Sequence, residues 1–138
     1  MSLGGDFYAL SDDQLQRLLD EKLYYGEFLA ALLEEKPREC FSDGEYYWFE
    51  LTQLLAPEDA CGVDHTDVIP EMSGYSFAKQ VQSTAQALAR LNEEKLRQRH
   101  SQQGIEQDFS ELYSVIQGVI AFYQRAAQQG DAVLFRVT

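Results

Sequence analysis

Apolar residues at spacings of three and four divide this chain into helices, and short apolar stretches near its two ends read as strands. The longest signal comes late. Leu112, Val115, Ile116, Val119, Phe122, Tyr123 and Ala126 fall on one stripe of a long helix with a wide apolar face. Asp108 is placed to cap its first turn with Glu111 three residues on, and Gly130 supplies the left-handed residue that ends it. The stretch 132–137 then alternates, with Val133, Phe135 and Val137 on one face and Leu134 and Arg136 on the other, which predicts a strand. At the opposite end, residues 6–10 predict a first strand. Ser11 follows as an N-cap with Gln14 three residues on, and Leu10 and Leu15 occupy the positions of a hydrophobic staple.

Between these ends the helical period continues. Leu15, Leu18, Leu19 and Leu23 mark the buried side of a first helix, and Asp12 and Asp13 suit the positive end of its dipole. After a break or kink at Gly26 the stripe resumes as Phe28, Leu29, Leu32 and Leu33. It stops before Pro37, because the residue ahead of proline avoids helical geometry. Residues 38–41 read as extended. Ser42 or Asp43 caps a helix that turns Tyr47, Trp48, Leu51, Leu54 and Leu55 inward and ends at Pro57. From 58 to 74 no period survives, and the acid, glycine and proline content predicts a long loop. Ser76 caps the next helix, with Phe77, Val81, Ala85, Leu88 and Leu91 inside. Asn92 opens a shorter one with Leu96 inside, and Lys95, Arg97, Arg99 and His100 form a solvated basic face before Gly104 ends it. Strands at both ends with helices between them predict an α+β fold. Residues 1–138 form a single domain of several amphipathic helices packed with a small sheet formed by the N-terminal and C-terminal strands.

Charge changes the picture more than composition does. The net charge is -12, and it is lopsided: residues 1–75 hold 17 of the 23 acids and four of the 11 bases. The second half is close to neutral. Phosphate repels such a surface, so no nucleic acid partner is expected, and an anionic membrane is disfavoured for the same reason. A basic protein is the partner that an acidic face attracts, although the same acidity also serves plain solubility. No apolar run approaches the roughly 20 residues of a membrane span, and residues 1–6 lack the basic and apolar segments of a secretory signal. A cytoplasmic setting is therefore expected, with Cys40 and Cys61 as reduced thiols.

Catalytic signatures are sparse. There is no G-x-S-x-G, no P-loop and no G-x-G-x-x-G after a strand. Cys40 or Cys61 could pair with His65 or His100, but no local signature supports a dyad. The best metal candidate is the loop 61–67, where Cys61, Asp64, His65 and Asp67 lie close in sequence. A second ligand cluster is missing for zinc, and the alternating oxygens and closing glutamate of a calcium loop are absent. A solvated acidic loop is the preferred reading. Glu34 with Glu35 and Glu93 with Glu94 are neighbours on helices, which do not face each other, so neither pair is an acid/base couple. Aromatic residues crowd positions 41–49, and helix geometry leaves some of Tyr46, Phe49 and the Tyr24–Tyr25 pair near the surface, either under a second helix layer or as a protein-binding patch.

The order of these signals resembles the YfbM-like family of bacterial proteins, a domain of unknown function. The matching features are Gly5-Asp-Phe-Tyr-Ala-Leu-Ser11, Trp48-Phe-Glu-Leu51 followed by Leu54-Leu55, Tyr75-Ser-Phe77 leading to Leu88-Ala-Arg-Leu91 and Leu96-Arg97, and Phe122-Tyr123 before Gln129-Gly-Asp-Ala132. The resemblance implies an α+β fold in a bacterial cytoplasm and no established activity, so it transfers no catalytic residue. Tyr46, Thr52 and Ala56-Pro57 depart from the lysine, histidine and threonine-glycine associated with those positions. A chemical role shared through those polar groups is not expected in this chain.

Two functions remain. The preferred one is a non-catalytic acidic protein-binding module, for example a neutralising partner of a basic protein, that docks through Glu58, Asp59, Asp64, Asp67 and Glu71. The alternative is a small enzyme or metal-binding protein using the 61–67 loop. No catalytic residue, cofactor or metal ligand is assigned, and a homo-oligomer is not indicated.

Overall fold

The computed structural model describes residues 5–20, 39–41, 47–62, 64–65 and 73–137. Its centre is an antiparallel sheet in the order β2-β1-β5-β4-β3, built from Gly5–Leu10 (β1), Glu39–Phe41 (β2), Asp64–His65 (β3), Ser73–Ser76 (β4) and Ala132–Val137 (β5). β1 and β5 are paired along their whole length, from Gly5 opposite Val137 to Leu10 opposite Ala132. The first and last strands are thus neighbours, as the sequence predicts, and three shorter strands widen the sheet.

The alternation along β5 separates two cores. Val133 and Phe135 join Phe7 and Ala9 in the main core, whereas Leu134 packs on the other face with Leu10 and Leu18. Leu18 comes from the first helix, Asp12–Asp20 (α1), whose N-terminus closes as a capping box: Ser11 N–H donates to Gln14 Oε1 at 3.0 Å, and Gln14 N–H donates to Ser11 Oγ at 3.1 Å.

The other helices are Trp48–Leu54 (α2), Ala78–Ala89 (α3), Glu93–Gln103 (α4) and Phe109–Gln129 (α5). In α5, Leu112, Ile116, Val119, Phe122, Tyr123 and Ala126 are buried on one stripe, with Val115 half-buried at its border. Phe7 forms the hub of the main core, its ring centroid 4.8 Å from that of Phe135 and about 6 Å from those of Phe41, Phe122 and Tyr123. Gly118 stands mid-helix because Phe41 lies on it: a Cβ there would come within 2.7 Å of the Phe41 ring. Gly104 and Gly130 take the left-handed conformation that ends α4 and α5.

Three expectations are corrected. The N-cap of α3 is Phe77, not Ser76, because Ser76 ends β4 and is buried. The Phe77 side chain cannot accept a hydrogen bond, so Gln80 Oε1 takes the Phe77 N–H at 2.9 Å and Asp12 Oδ1 takes the Ala78 N–H at 2.8 Å. Glu111 does not complete a capping box with Asp108, which accepts from Ser110 N–H; Glu111 accepts instead from the Tyr47 hydroxyl. Finally, 58–74 is not one structureless loop. A 3-10 turn, Ala56–Glu58, ends at its start, β3 lies within it and β4 begins in its last two residues, each too short to show a period.

The resumed helix from Phe28 to Leu33, the break at Gly26, the caps Ser42 and Asp43, and Tyr24, Tyr25 and Tyr46 lie outside the described residues, as do the side chains of Cys40 and Trp48.

Candidate protein-binding cleft

A seven-residue helix that turns Leu51 and Leu54 inward, with Leu55 at its C-cap, has little room to hide its remaining side chains. Leu51, Leu54 and Leu55 are buried at or just after α2, and the helical period turns Phe49 to the opposite side, where it is 53% exposed. It is the exposed large hydrophobic residue among those described. Glu50 is half-buried beside it, and Thr52 Oγ1 donates to the Phe49 carbonyl at 2.6 Å.

The facing wall is the turn between α4 and α5. His100 Nε2 lies 2.7 Å from the Gln107 carbonyl oxygen, which can only accept, so this nitrogen carries a proton and ties the turn back onto α4. Phe49, Glu50 and Gln53 on one side and Gly104, Ile105 and Glu106 on the other bound a cleft of about 310 Å³. Glu106 is exposed. Tyr47 bridges to the start of α5, its hydroxyl 3.0 Å from Glu111 Oε2, and this hydrogen bond to a carboxylate raises the tyrosine pKa.

Behind the cleft α2 is clamped to α4. Arg99 Nη1 and Nη2 bind Glu58 Oε1 and Oε2 at 2.6 and 2.9 Å, and Nη1 also donates to the Leu54 carbonyl at 2.9 Å. The bond to Glu58 raises the Arg99 pKa against the opposing effect of burial. On α4, Arg99 and His100 are half-buried, while Lys95 and Arg97 stay exposed as the basic face expected there. Arg97 joins Glu93 at 3.4 Å and lies 4.4 Å over the Phe109 ring, and the His100 ring meets the same phenyl edge-on.

The five carboxylates expected to dock a partner meet different fates. Glu58 is 8% exposed and its charge is used on Arg99, so it is removed from the docking set. Asp59, the next residue, is exposed in a left-handed conformation at φ 58°. Asp64 lies in β3 opposite Tyr75, with its side chain outside the described residues, where Asp67 and Glu71 also lie. Phe49 was legible as a surface aromatic; Glu50 and Glu106 as its companions were not, because their meeting depends on how α2 packs against α4. Arg99 did leave a signal, standing three residues after buried Leu96 and so on the same helix flank.

At the proposed metal loop, burial pushes the Cys61 thiol up to about 12, which keeps it protonated at neutral pH and a poor nucleophile or ligand. Among the described residues no three His, Cys, Asp or Glu side chains gather as a metal site, and the His65 side chain is not among them. No helix among these residues is long and apolar enough to cross a membrane.

The model of a family described as "Domain of unknown function (DUF1877)" matches residues 1–136. No curated protein matches the chain. Among solved structures it is similar to YfbM from Escherichia coli, described as a protein of unknown function, with a TM-score of 0.63 and 14% identity over 98% of this chain and 99% of that one. At that identity the likeness shows the fold alone.

Proposed function

The chain belongs to DUF1877, a family of unknown function, and we propose that within it this protein is a non-catalytic acidic module that binds a basic protein in the bacterial cytoplasm. The observation that carries this reading is the cleft between α2 and the turn after α4. It places an exposed aromatic side chain, Phe49, beside Glu50 and opposite Glu106, with no lysine or arginine in its lining. Aromatic anchors supply much of the energy of protein interfaces, and surrounding charge selects the partner and speeds encounter. Exposed Asp59 lies elsewhere, beside Gln80 and Ser83, and with Asp64, Asp67 and Glu71 adds to the acidic charge in this reading. The overall charge of -12 favours a cationic partner in the same sense.

Affinity capture from host lysate tests it, with the natural chain compared against Glu50→Lys/Glu106→Lys at low and moderate ionic strength. A basic protein held by the natural chain, eluted by salt and lost from the variant supports the reading. Equal capture by both proteins, or capture of no basic protein at low salt, overturns it.

A further inference from the structure

We infer that the groove where the turn between α3 and α4 meets α5 binds a small uncharged molecule of one or two apolar rings that carries a hydrogen-bond acceptor. The groove encloses about 290 Å³, at the lower end of the roughly 300–1,000 Å³ usual for ligand pockets. Leu88 and Leu96, each 1% exposed, form its floor, and half-buried Leu91 and Ile120 form its sides. It shares no lining residue with the Phe49 cleft, so the inference stands apart from the protein-binding reading.

Charge identifies the occupant. The Phe49 cleft holds Glu50 and Glu106, and the hollow beside Asp59 holds that residue and Glu58. None of the nine residues that line the groove is acidic or basic, in a chain of net charge -12. A cation entering it would leave water without meeting a carboxylate. An anion would meet no cation there and would also be repelled by the overall charge of the molecule. Glu93, on the first turn of α4, is paired with Arg97, and exposed Arg90 stands in the same turn but not in the lining. The polar part of the lining is neutral and preset. Asn92 Oδ1 takes the Lys95 N–H at 2.8 Å, which fixes the amide and leaves its two N–H groups to donate. The Tyr113 ring is held by stacking on Phe109, with centroids 5.4 Å apart, and its hydroxyl has no hydrogen-bond partner among the described residues. Two donors beside an apolar floor call for a carbonyl or ring-nitrogen acceptor on an otherwise apolar body. A rigid ring suits a half-open groove better than a flexible chain, because it has fewer rotors to immobilise.

The test uses the full chain, isotopically labelled, and four probes built on one benzene ring: acetophenone, ethylbenzene, benzoate and benzylammonium. Nuclear magnetic resonance titration at neutral pH is expected to show saturable shifts of amides in 88–92 and 113–121 with acetophenone. Both charged probes are expected to bind there at least about 10-fold more weakly. Tyr113→Phe keeps the stacked ring and removes the hydroxyl, so it should weaken acetophenone about 2- to 10-fold and leave ethylbenzene unchanged. Ala121→Leu adds bulk to the lining and should abolish binding of both, while the spectrum away from the groove stays intact.

The absence of saturable shifts in these residues up to the solubility limit of acetophenone would overturn the inference. So would equal binding of a charged probe, or an acetophenone affinity that Tyr113→Phe leaves unchanged. Shifts of the same amides on dilution without any probe would overturn it as well, since they would place a second copy of the chain in the groove.

Discussion

Five apolar residues of α5 are buried by side chains that make no polar contact, whereas the corner from Leu54 to Gly62 is held by polar contacts to its backbone. On α5, Leu112, Ile116, Val119, Phe122 and Ala126 reach zero exposure through apolar contact alone. At the corner the Leu54 carbonyl is taken by Arg99, the Ala60 carbonyl by the Tyr123 hydroxyl, and Glu58 by the Arg99 guanidinium. Gly62 and Gly74 bring two backbone segments so close that a Cβ on either would strike the other. The difference is one of tolerance. An apolar stripe can lose a methylene and relax, while a carbonyl whose donor is removed stays buried without a substitute.

The apolar side of this comparison should show the largest single loss. Phe7→Ala empties the position that four other rings touch, and about 3–5 kcal/mol of stability should go with it. Urea unfolding followed by circular dichroism measures this. A loss below about 1 kcal/mol would mean that the cluster collapses into the space and that the hub is not Phe7.

Arg99→Met should rank next, at about 2–3 kcal/mol, because it leaves the Glu58 carboxylate and the Leu54 carbonyl without their donors. Arg99 keeps 24% of its side chain exposed, so water reaches the site and holds the loss below that of a fully enclosed pair. The double variant Arg99→Met/Glu58→Leu should recover much of the stability by removing the stranded charge as well. If the double variant is no better than the single one, the clamp is a geometric fixture of the Leu54 carbonyl and the charge pairing is incidental.

How much of this was legible follows the same division. The α5 stripe, the two-faced β5 and the Ser11 capping box could be read because periodicity and local caps involve residues within four positions of one another, and the pairing of the end strands could be read from the order of strands and helices. The clamp could not, since Arg99 and Glu58 are 41 positions apart, and the place of Arg99 on the Leu96 flank does not say which carboxylate it meets. The same holds for Asp12, which reads as a first-turn acid of its own helix and also serves the N-terminus of another one 66 positions on. Of the expected docking carboxylates, Glu58 and Asp59 are indistinguishable in sequence and opposite in the fold, one buried and one exposed. Only the placement of Arg99 separates them.

The corner also predicts a smaller, pH-dependent effect. Burial raises the Cys61 thiol from 9.0 to about 12, so the folded chain keeps its proton where the unfolded chain has released it. Stability from this group is fully present below pH 9 and is lost as pH rises from there toward 12, by at most about 1.4 kcal/mol per pH unit. Burial likewise raises Tyr123 well above its ordinary value, and its loss of a proton would also remove the donor to Ala60, so it steepens the same alkaline limb. Cys61→Ala should flatten the fall between pH 9 and pH 10.5 in thermal melts, and the natural thiol should react slowly with iodoacetamide at pH 8. Rapid alkylation without unfolding would show that the thiol is open to solvent.

The smallest effect on stability is expected where the functional proposal is strongest. Phe49 and Phe109 are both helix phenylalanines near carboxylates, but Phe109 lies under Arg97, stacks on Tyr113 with centroids 5.4 Å apart, and meets His100 edge-on. Phe109→Ala should therefore cost about 3 kcal/mol, in the range for a buried phenylalanine. Phe49→Ala should change stability by no more than about 0.5 kcal/mol, since the residue is 53% exposed. Side-by-side urea curves of the two variants decide it. A cost above about 2 kcal/mol for Phe49→Ala would place the ring in the structural frame and leave the cleft without its anchor. A near-neutral result would mean that an aromatic ring is kept in water at no benefit to the fold, which is the condition a binding residue has to meet.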